Sequence, residues 1–171
     1  INGFKHYFTS HGQVVYENPS PGNKMGGITT LEDKSLGCVQ KGGRAPVSGV
    51  LKYGEKATRK GMNLLTGPGN DIVSTTVQSA SGAHMILFTT GRGTPLGAPV
   101  PTVKIATNPQ LAEKKANWID FNAGRLLSED SETVLDDFIS LIQAIASGTI
   151  KTKNEINGYS EISILKDGVV L

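Results

Sequence analysis

Two segments of this chain set a cationic side chain among small residues in a way that suits an anion. The first, ENPSPGNKMGGITTLEDKSLG (17–37), carries Lys24 in a glycine- and proline-rich stretch that turns abruptly into helix-forming residues. A glycine loop feeding a Thr-capped helix offers N–H groups and the positive end of the helix dipole. The spacing is not that of a nucleotide P-loop: Gly22 and Gly27 have the right gap, but Ile28-Thr29 stands where Lys-Ser/Thr belongs. A carboxylate asks only for amides, a hydroxyl and a lysine. The second is TTGRGT (89–94), read with GPGND (67–71) as a pair of loops leaving two strands. Open parallel sheets bind ligands beyond the carboxyl ends of their strands. There Arg92 can hold a carboxylate or phosphate in a bidentate fork, with glycine backbone close by. The plainer alternative is that these glycines only make tight turns and Arg92 is solvated.

Groups available for proton transfer are Glu17, Glu32, Asp71, His84, Asp120, His6 and His11. Each also has a structural reading. Glu32 and Asp33 favour a helix dipole, Asp71 caps a helix, and His84 opens a buried strand as a satisfied structural histidine. No His pair has metal-ligand spacing. Local chemistry alone gives a polar, anion-friendly cleft without a complete catalytic set.

The elements that position these residues follow from the patterning. The 171 residues suit one domain with a sizeable core, at 37% hydrophobic and 19% charged. A net charge of +2 with 6% aromatics argues against nucleic acid, and no apolar run is long enough to span a membrane. Cys38 is the single cysteine, which excludes an internal disulfide and fits a reducing, cytoplasmic setting. It reads as a small buried core residue on the face Leu31, Ser35, Cys38, Val39.

Residues 1–16 read as a strand or edge segment. Thr29 or Thr30 starts a helix by the capping-box pattern with Glu32 and Asp33. Residues 62–66, 71–81 and 84–90 form a strand–helix–strand unit, its strands parallel and the second covered on both faces. TVKIAT (102–107) is a further strand, Asn108-Pro109 opens a short helix, and NWIDFNAG is a short strand or turn. An amphipathic helix runs from Ser131 to Ser147 and Gly148 closes it. A terminal strand or hairpin turns at Asp167-Gly168. The fold class is α/β, a single domain with a mostly parallel, Rossmann-like three-layer arrangement and helices on both faces.

Three blocks in order, the opening segment, LFTTGRGTPLGAPVPTVKIATN and WIDFNAG, resemble the carboxyl-terminal region of the altronate/galactarate dehydratase family. NGYSEISI is a weaker echo, and TGPGNDIVSTT resembles the altronate-type branch. The resemblance implies a lyase that dehydrates a sugar acid to a 2-keto-3-deoxy acid, assisted by a divalent ion, Fe²⁺ or Mn²⁺. It implies an upstream dehydratase domain or subunit as partner, with homo-oligomers possible and neither nucleic acid nor membrane involved. The chain would then be a truncated piece or a separate subunit, inactive in isolation. As implied substrate-binding residues it points to Asn18, Asn23, Lys24, Gly26, Gly27, Thr29, Thr30, Thr89, Thr90, Arg92 and Thr94. It identifies neither the catalytic base nor the metal ligands. A sulfolactate sulfo-lyase-type enzyme and a non-catalytic anion-binding module are the alternatives.

Overall fold

The computed structural model describes residues 2–13 and 19–166. The chain divides into two compact units, Ile1–Val47 and Ser48–Leu171.

In the first unit the described elements are helices α1 (Asn2–Ser10), α2 (Pro21–Met25) and α3 (Leu31–Lys41). The opening segment is therefore a helix, not the expected strand. Phe4, Tyr7 and Phe8 stand at i, i+3, i+4, and the Tyr7 and His11 rings, one turn apart, lie 4.6 Å between centroids. Residues 14–16, expected in the same strand, lie outside the described residues. Helix α3 begins where the capping pattern placed it, with Thr30 Oγ1 accepting from the Asp33 amide at 3.1 Å. Its apolar face is not a core, since α3 has no buried residue, Val39 is 71% exposed and Cys38 is exposed. Two lysines, two acidic residues and Gly37 leave α3 too few large apolar side chains to gather cover, which corrects the buried reading of Cys38.

The second unit holds every buried hydrophobic side chain among the described residues. Strands β1 (Val47–Leu51) and β2 (Met62–Leu65) pair in a small sheet. A three-stranded sheet has the order β3 (Ile86–Thr90), β4 (Thr102–Ala106), β5 (Phe121–Asn122). Both of its ladders are parallel, with Ile86 opposite Thr102 and Ile105 opposite Phe121. The expected strand–helix–strand unit therefore joins two sheets rather than neighbouring strands: β2 belongs to one, and α4 (Asp71–Ala80) leads into the other. Strand β3 is an edge strand with Leu87 52% exposed, so the apolar run at 84–90 is not covered on both faces. His84 precedes it and is exposed. The doubly covered strand is β4, buried at every position.

Alternation along β4 defines two layers. Val103 and Ile105 face α6 (Ser131–Ala146), where Ile145, Phe138, Leu141 and Ile142 pack with Phe121. Ala106 packs with Leu111 and Ala112 of α5 (Pro109–Lys114) and with Ile119. The helices start on side-chain caps: Asn70 for α4, Asn108 for α5, Asp130 for α6, and a Thr152–Glu155 capping box for α7 (Lys153–Asn157). Asp71 thus sits in the first turn of α4 and Asn70 does the capping. Between α5 and α6 a 3-10 turn, 123–127, passes so close to the start of α5 that a Cβ on Gly124 would meet the ring and nitrogen of Pro109. Residues 159–166 contain no strand; the arm is tied by side chains, Thr76 Oγ1 accepting from Ser163 N and Tyr53 Oη from Leu165 N. The expected turn at Asp167-Gly168 lies outside the described residues.

Two stability outcomes follow from this packing. Ile145→Ala, at a 6% exposed site, is expected to cost about 2–5 kcal/mol in denaturant unfolding, against about 0.5 kcal/mol or less for Leu127→Ala, which is 83% exposed. Gly124→Ala is expected to cost about 1–3 kcal/mol through overpacking against Pro109, read as a lower unfolding midpoint with unchanged m-value.

Candidate functional site

Between β3 and β4 the chain must travel from the carboxyl end of one strand back to the amino end of its parallel neighbour. Such crossovers usually contain a helix. Here Gly91 to Pro101 make the journey without one. The segment leaves the sheet at the edge where α/β proteins bind ligands. Thr90 Oγ1 accepts from Gly93 N at 2.9 Å, and Asn108 Nδ2 donates to Gly91 O at 3.2 Å, so the first turn is held from both sides. Gly93 has φ +82°, and a Cβ there would come within 3.0 Å of Leu111. Glycine is therefore needed in the GRG turn for backbone reasons. Arg92, at its tip, is exposed.

Past the tip the crossover sinks, with Leu96, Gly97 and Ala98 all buried. Buried backbone outside a ladder needs partners from side chains. Thr94 O receives Lys104 Nζ at 2.6 Å, and Leu96 O receives Asn154 Nδ2 at 3.1 Å. Gly97 N donates to Glu161 Oε2 at 2.7 Å while Gly97 O accepts from Glu161 N at 2.8 Å. Ala98 N donates to Thr102 Oγ1 at 3.0 Å. A Cβ on Gly97 would overlap the Tyr159 carbonyl. The tetrapeptide around Glu161, within NGYSEISI, thus works as a brace for the crossover.

Lys104 stands at the centre of this arrangement, in mid-β4 and 0% exposed. Its ammonium lies 4.8 Å from the Phe88 ring centroid. Burial pushes its pKa down to about 8, against the opposing pull of Glu161, Asp120 and Asp71. Asp120 accepts the Lys104 amide at 2.7 Å and the Lys153 amide at 2.7 Å. Burial raises its pKa, partly offset by those two backbone bonds. Of the groups set out for proton transfer, Asp120 is thus a structural acceptor holding β4 to α7.

The remaining site residues from the sequence fall as follows. Thr89, Thr90, Arg92 and Thr94 share the end of β3 and the crossover turn, Thr89 exposed and Thr94 half-buried. The other loop of the expected pair, 67–71, follows β2 in the separate sheet, so the two do not leave one sheet edge; Asp71 nevertheless acts on Lys104 through its charge. In the first unit, Asn23 and Lys24 lie in α2, with Gly26 and Gly27 just past its end. The amides of Asn23, Lys24, Gly26, Gly27 and Ile28 all donate to carbonyls within 20–24. That segment is a closed helical turn rather than an open cradle of N–H groups. Asn23 Oδ1 accepts from Ser20 Oγ and from Lys34 Nζ. Lys24 and Thr29 are exposed, and Thr30 is occupied as the α3 cap. Asn18 and Glu17 lie outside the described residues.

A cavity of about 170 Å³ between β4 and α6 is lined by Ile105, Phe121, Ala123, Leu126, Val134, Leu135 and Phe138. Its purely apolar wall cannot hold a polyhydroxylated acid. Among the described residues no three His, Cys, Asp or Glu side chains gather as a metal site. The described residues thus supply no ligand cluster of their own for the divalent ion that the sequence resemblance implies.

Lys104, Asn154 and Glu161 were not among the residues singled out from sequence. The signal for Lys104 was a charge in the middle of the otherwise apolar TVKIA.

The family model described as D-galactarate/Altronate dehydratase, C-terminal, matches residues 1–170. The chain is 56% identical to altronate dehydratases of Bacillus subtilis and of Escherichia coli, across 100% of its own length but 35% and 34% of theirs. It is 41% identical to the galactarate dehydratase (L-threo-forming) of Escherichia coli over 79% of the chain and 26% of that protein. The chain thus spans about a third of the curated altronate dehydratases it matches. No helix among the described residues is long and apolar enough to cross a membrane. With a family model covering residues 1–170 and 56% identity to two altronate dehydratases across its whole length, this chain belongs to the D-galactarate/altronate dehydratase family, as its C-terminal region.

Proposed function

We propose that this chain is the carboxylate-binding region of a dehydratase that converts D-altronate to 2-keto-3-deoxygluconate. The observation that carries the reading is the 56% identity to two altronate dehydratases over the whole chain, against 41% to the galactarate enzyme over part of it. The reaction breaks the C–H bond α to the carboxylate and the C–O bond at the β-carbon, releasing water and leaving an enol that becomes the ketone. The proton is weakly acidic, so donors held at the carboxylate must stabilise the enediolate that forms. Arg92 supplies the bidentate donor, on a turn whose backbone is held by hydrogen bonds from Thr90 and Asn108. Thr89 and Thr94 are assigned to substrate hydroxyls. In the first unit, exposed Lys24 and Thr29 are assigned a polar contact with the same class of acid.

The rest of the catalytic set, including the base and the ligands of a divalent ion, is assigned to the part of the protein outside this chain. A partner region upstream follows from the same reading, as does low activity of this region alone. Residues here bind and orient, and no step is assigned to a metal through them.

In the complete enzyme, Arg92→Ala is expected to lower kcat/KM for D-altronate about 10- to 100-fold, the loss of one charged hydrogen-bonding group of about 1.5–3 kcal/mol. Lys24→Ala is expected to act in the same direction. Steady-state kinetics at fixed ionic strength measure both; unchanged constants for Arg92→Ala would remove it from the site. A panel of altronate, galactarate and sulfolactate distinguishes the proposed substrate from those of the related lyases.

A further inference from the structure

The crossover tip that carries Arg92 is only as well placed as the buried segment beneath it, and one charged group holds that segment from below. We propose that Lys104 is a positioning residue for the substrate turn: its ammonium, sealed under the crossover, fixes the Thr94 carbonyl and thereby the orientation of Arg92. This rests on the assignment of the turn to sugar-acid binding.

The geometry favours this role over simple filling of the core. A lysine at mid-strand, 0% exposed, replaces a position where any aliphatic residue would pack. Burying an ammonium is costly unless it is bonded and compensated. Here the hydrogen bond goes to the crossover, to Thr94 O at 2.6 Å, while the ring of Phe88 on the neighbouring strand β3 covers the ammonium. Thr94 is two residues from Arg92, with positive-φ Gly93 between them. Moving the Thr94 carbonyl therefore re-aims the guanidinium without disturbing the strand below.

The charges facing Lys104 come from three elements. Asp71 lies in the first turn of α4, Asp120 precedes β5, and Glu161 lies on the arm that braces Gly97. Lys153 of α7 meets Asp120 through its backbone amide. Together the three carboxylates hold the lysine's proton against desolvation, and its pKa stays at about 8. Above that pH the fold keeps a neutral amine, a weaker donor to Thr94. Substrate binding through the turn then weakens on the alkaline side. The stability linkage has the opposite sign. The unfolded lysine, with a pKa of about 10.4, binds more protons than the folded one between pH 8 and that value, so this group's contribution to folding stability rises with pH across that window.

The test uses the complete dehydratase chain, with Lys104→Met and Glu161→Gln. Lys104→Met is expected to raise KM for D-altronate about tenfold with a smaller change in kcat, and to lose the alkaline fall of kcat/KM centred near pH 8. Glu161→Gln keeps the lysine but removes a carboxylate facing it, so the same fall should move to lower pH. Hydrogen exchange of the amides at 93–98 reads the hold directly and needs no turnover: it should quicken in folded Lys104→Met, and in the wild type as pH passes 8 after correction for intrinsic exchange. Unchanged exchange together with an unmoved pH profile in both variants would overturn the positioning role. A wild type that leaves sugar acids untouched, yet shows the exchange effect, would overturn the substrate assignment and leave Lys104 as the support of the turn.

Discussion

Parallel pairing of β3 and β4 without a crossover helix is the constraint from which most of this region follows. A helix satisfies its own backbone, whereas an irregular crossover that becomes buried at Leu96–Ala98 does not. Its buried polar groups have to be met by other partners, most of them side chains brought from elsewhere. Lys104 and Thr102 come from β4, Asn154 from α7 and Glu161 from the C-terminal arm. The capping box of α7 and the Asp120 bonds to the amides of Lys104 and Lys153 then hold the holders. What looks like a set of scattered polar residues is one network with a single task.

The network also divides the crossover into two parts with different duties. Its middle, Leu96 to Ala98, is buried and held by several partners. Its first half, the GRG turn, is fixed at its base yet exposes Arg92. A rigid support beneath an exposed cationic turn is the arrangement that keeps a charged donor in place without paying its ordering entropy at each binding event. On the other face of the sheet the same β4 packs purely apolar residues against α6. Lys104 and the α6 core thus lie on opposite sides of one strand, one residue apart, with the smaller Ala106–Leu111–Ile119 cluster on the Lys104 side.

Local rules were legible in the sequence. The Thr30 cap, the start of α5 at Asn108-Pro109, the stripe of α6 and the Gly148 that closes it all rest on interactions within a few residues, and all are present. Non-local features were not. Which sheet β2 joins is decided by partners far along the chain, and the same four residues pair equally well in either reading. The run at 84–90 looked buried on both faces because apolar content does not reveal an edge position. Phe4, Tyr7 and Phe8 fit a helical spacing that short apolar runs disguise. Of the site, Arg92 and the threonines could be picked out because glycine turns mark them. Lys104 was visible as an anomaly in TVKIA, but its meaning depends on a carbonyl ten residues earlier and a carboxylate far downstream. The NGYSEISI block was read partly as the start of a terminal strand, and its only other signal was a weak family echo.

The curated altronate dehydratases are about three times as long as this chain, and the proposed function makes it a binding region whose chemistry needs the rest of such a protein. The most direct measurement is formation of the 2-keto-3-deoxy acid from D-altronate, followed by its keto group, for the complete polypeptide and for residues 1–171 alone. Product from the complete polypeptide and none from the isolated region is the predicted result. Equal product from the isolated region, or none from a folded, Fe²⁺- or Mn²⁺-supplied complete polypeptide, would contradict it.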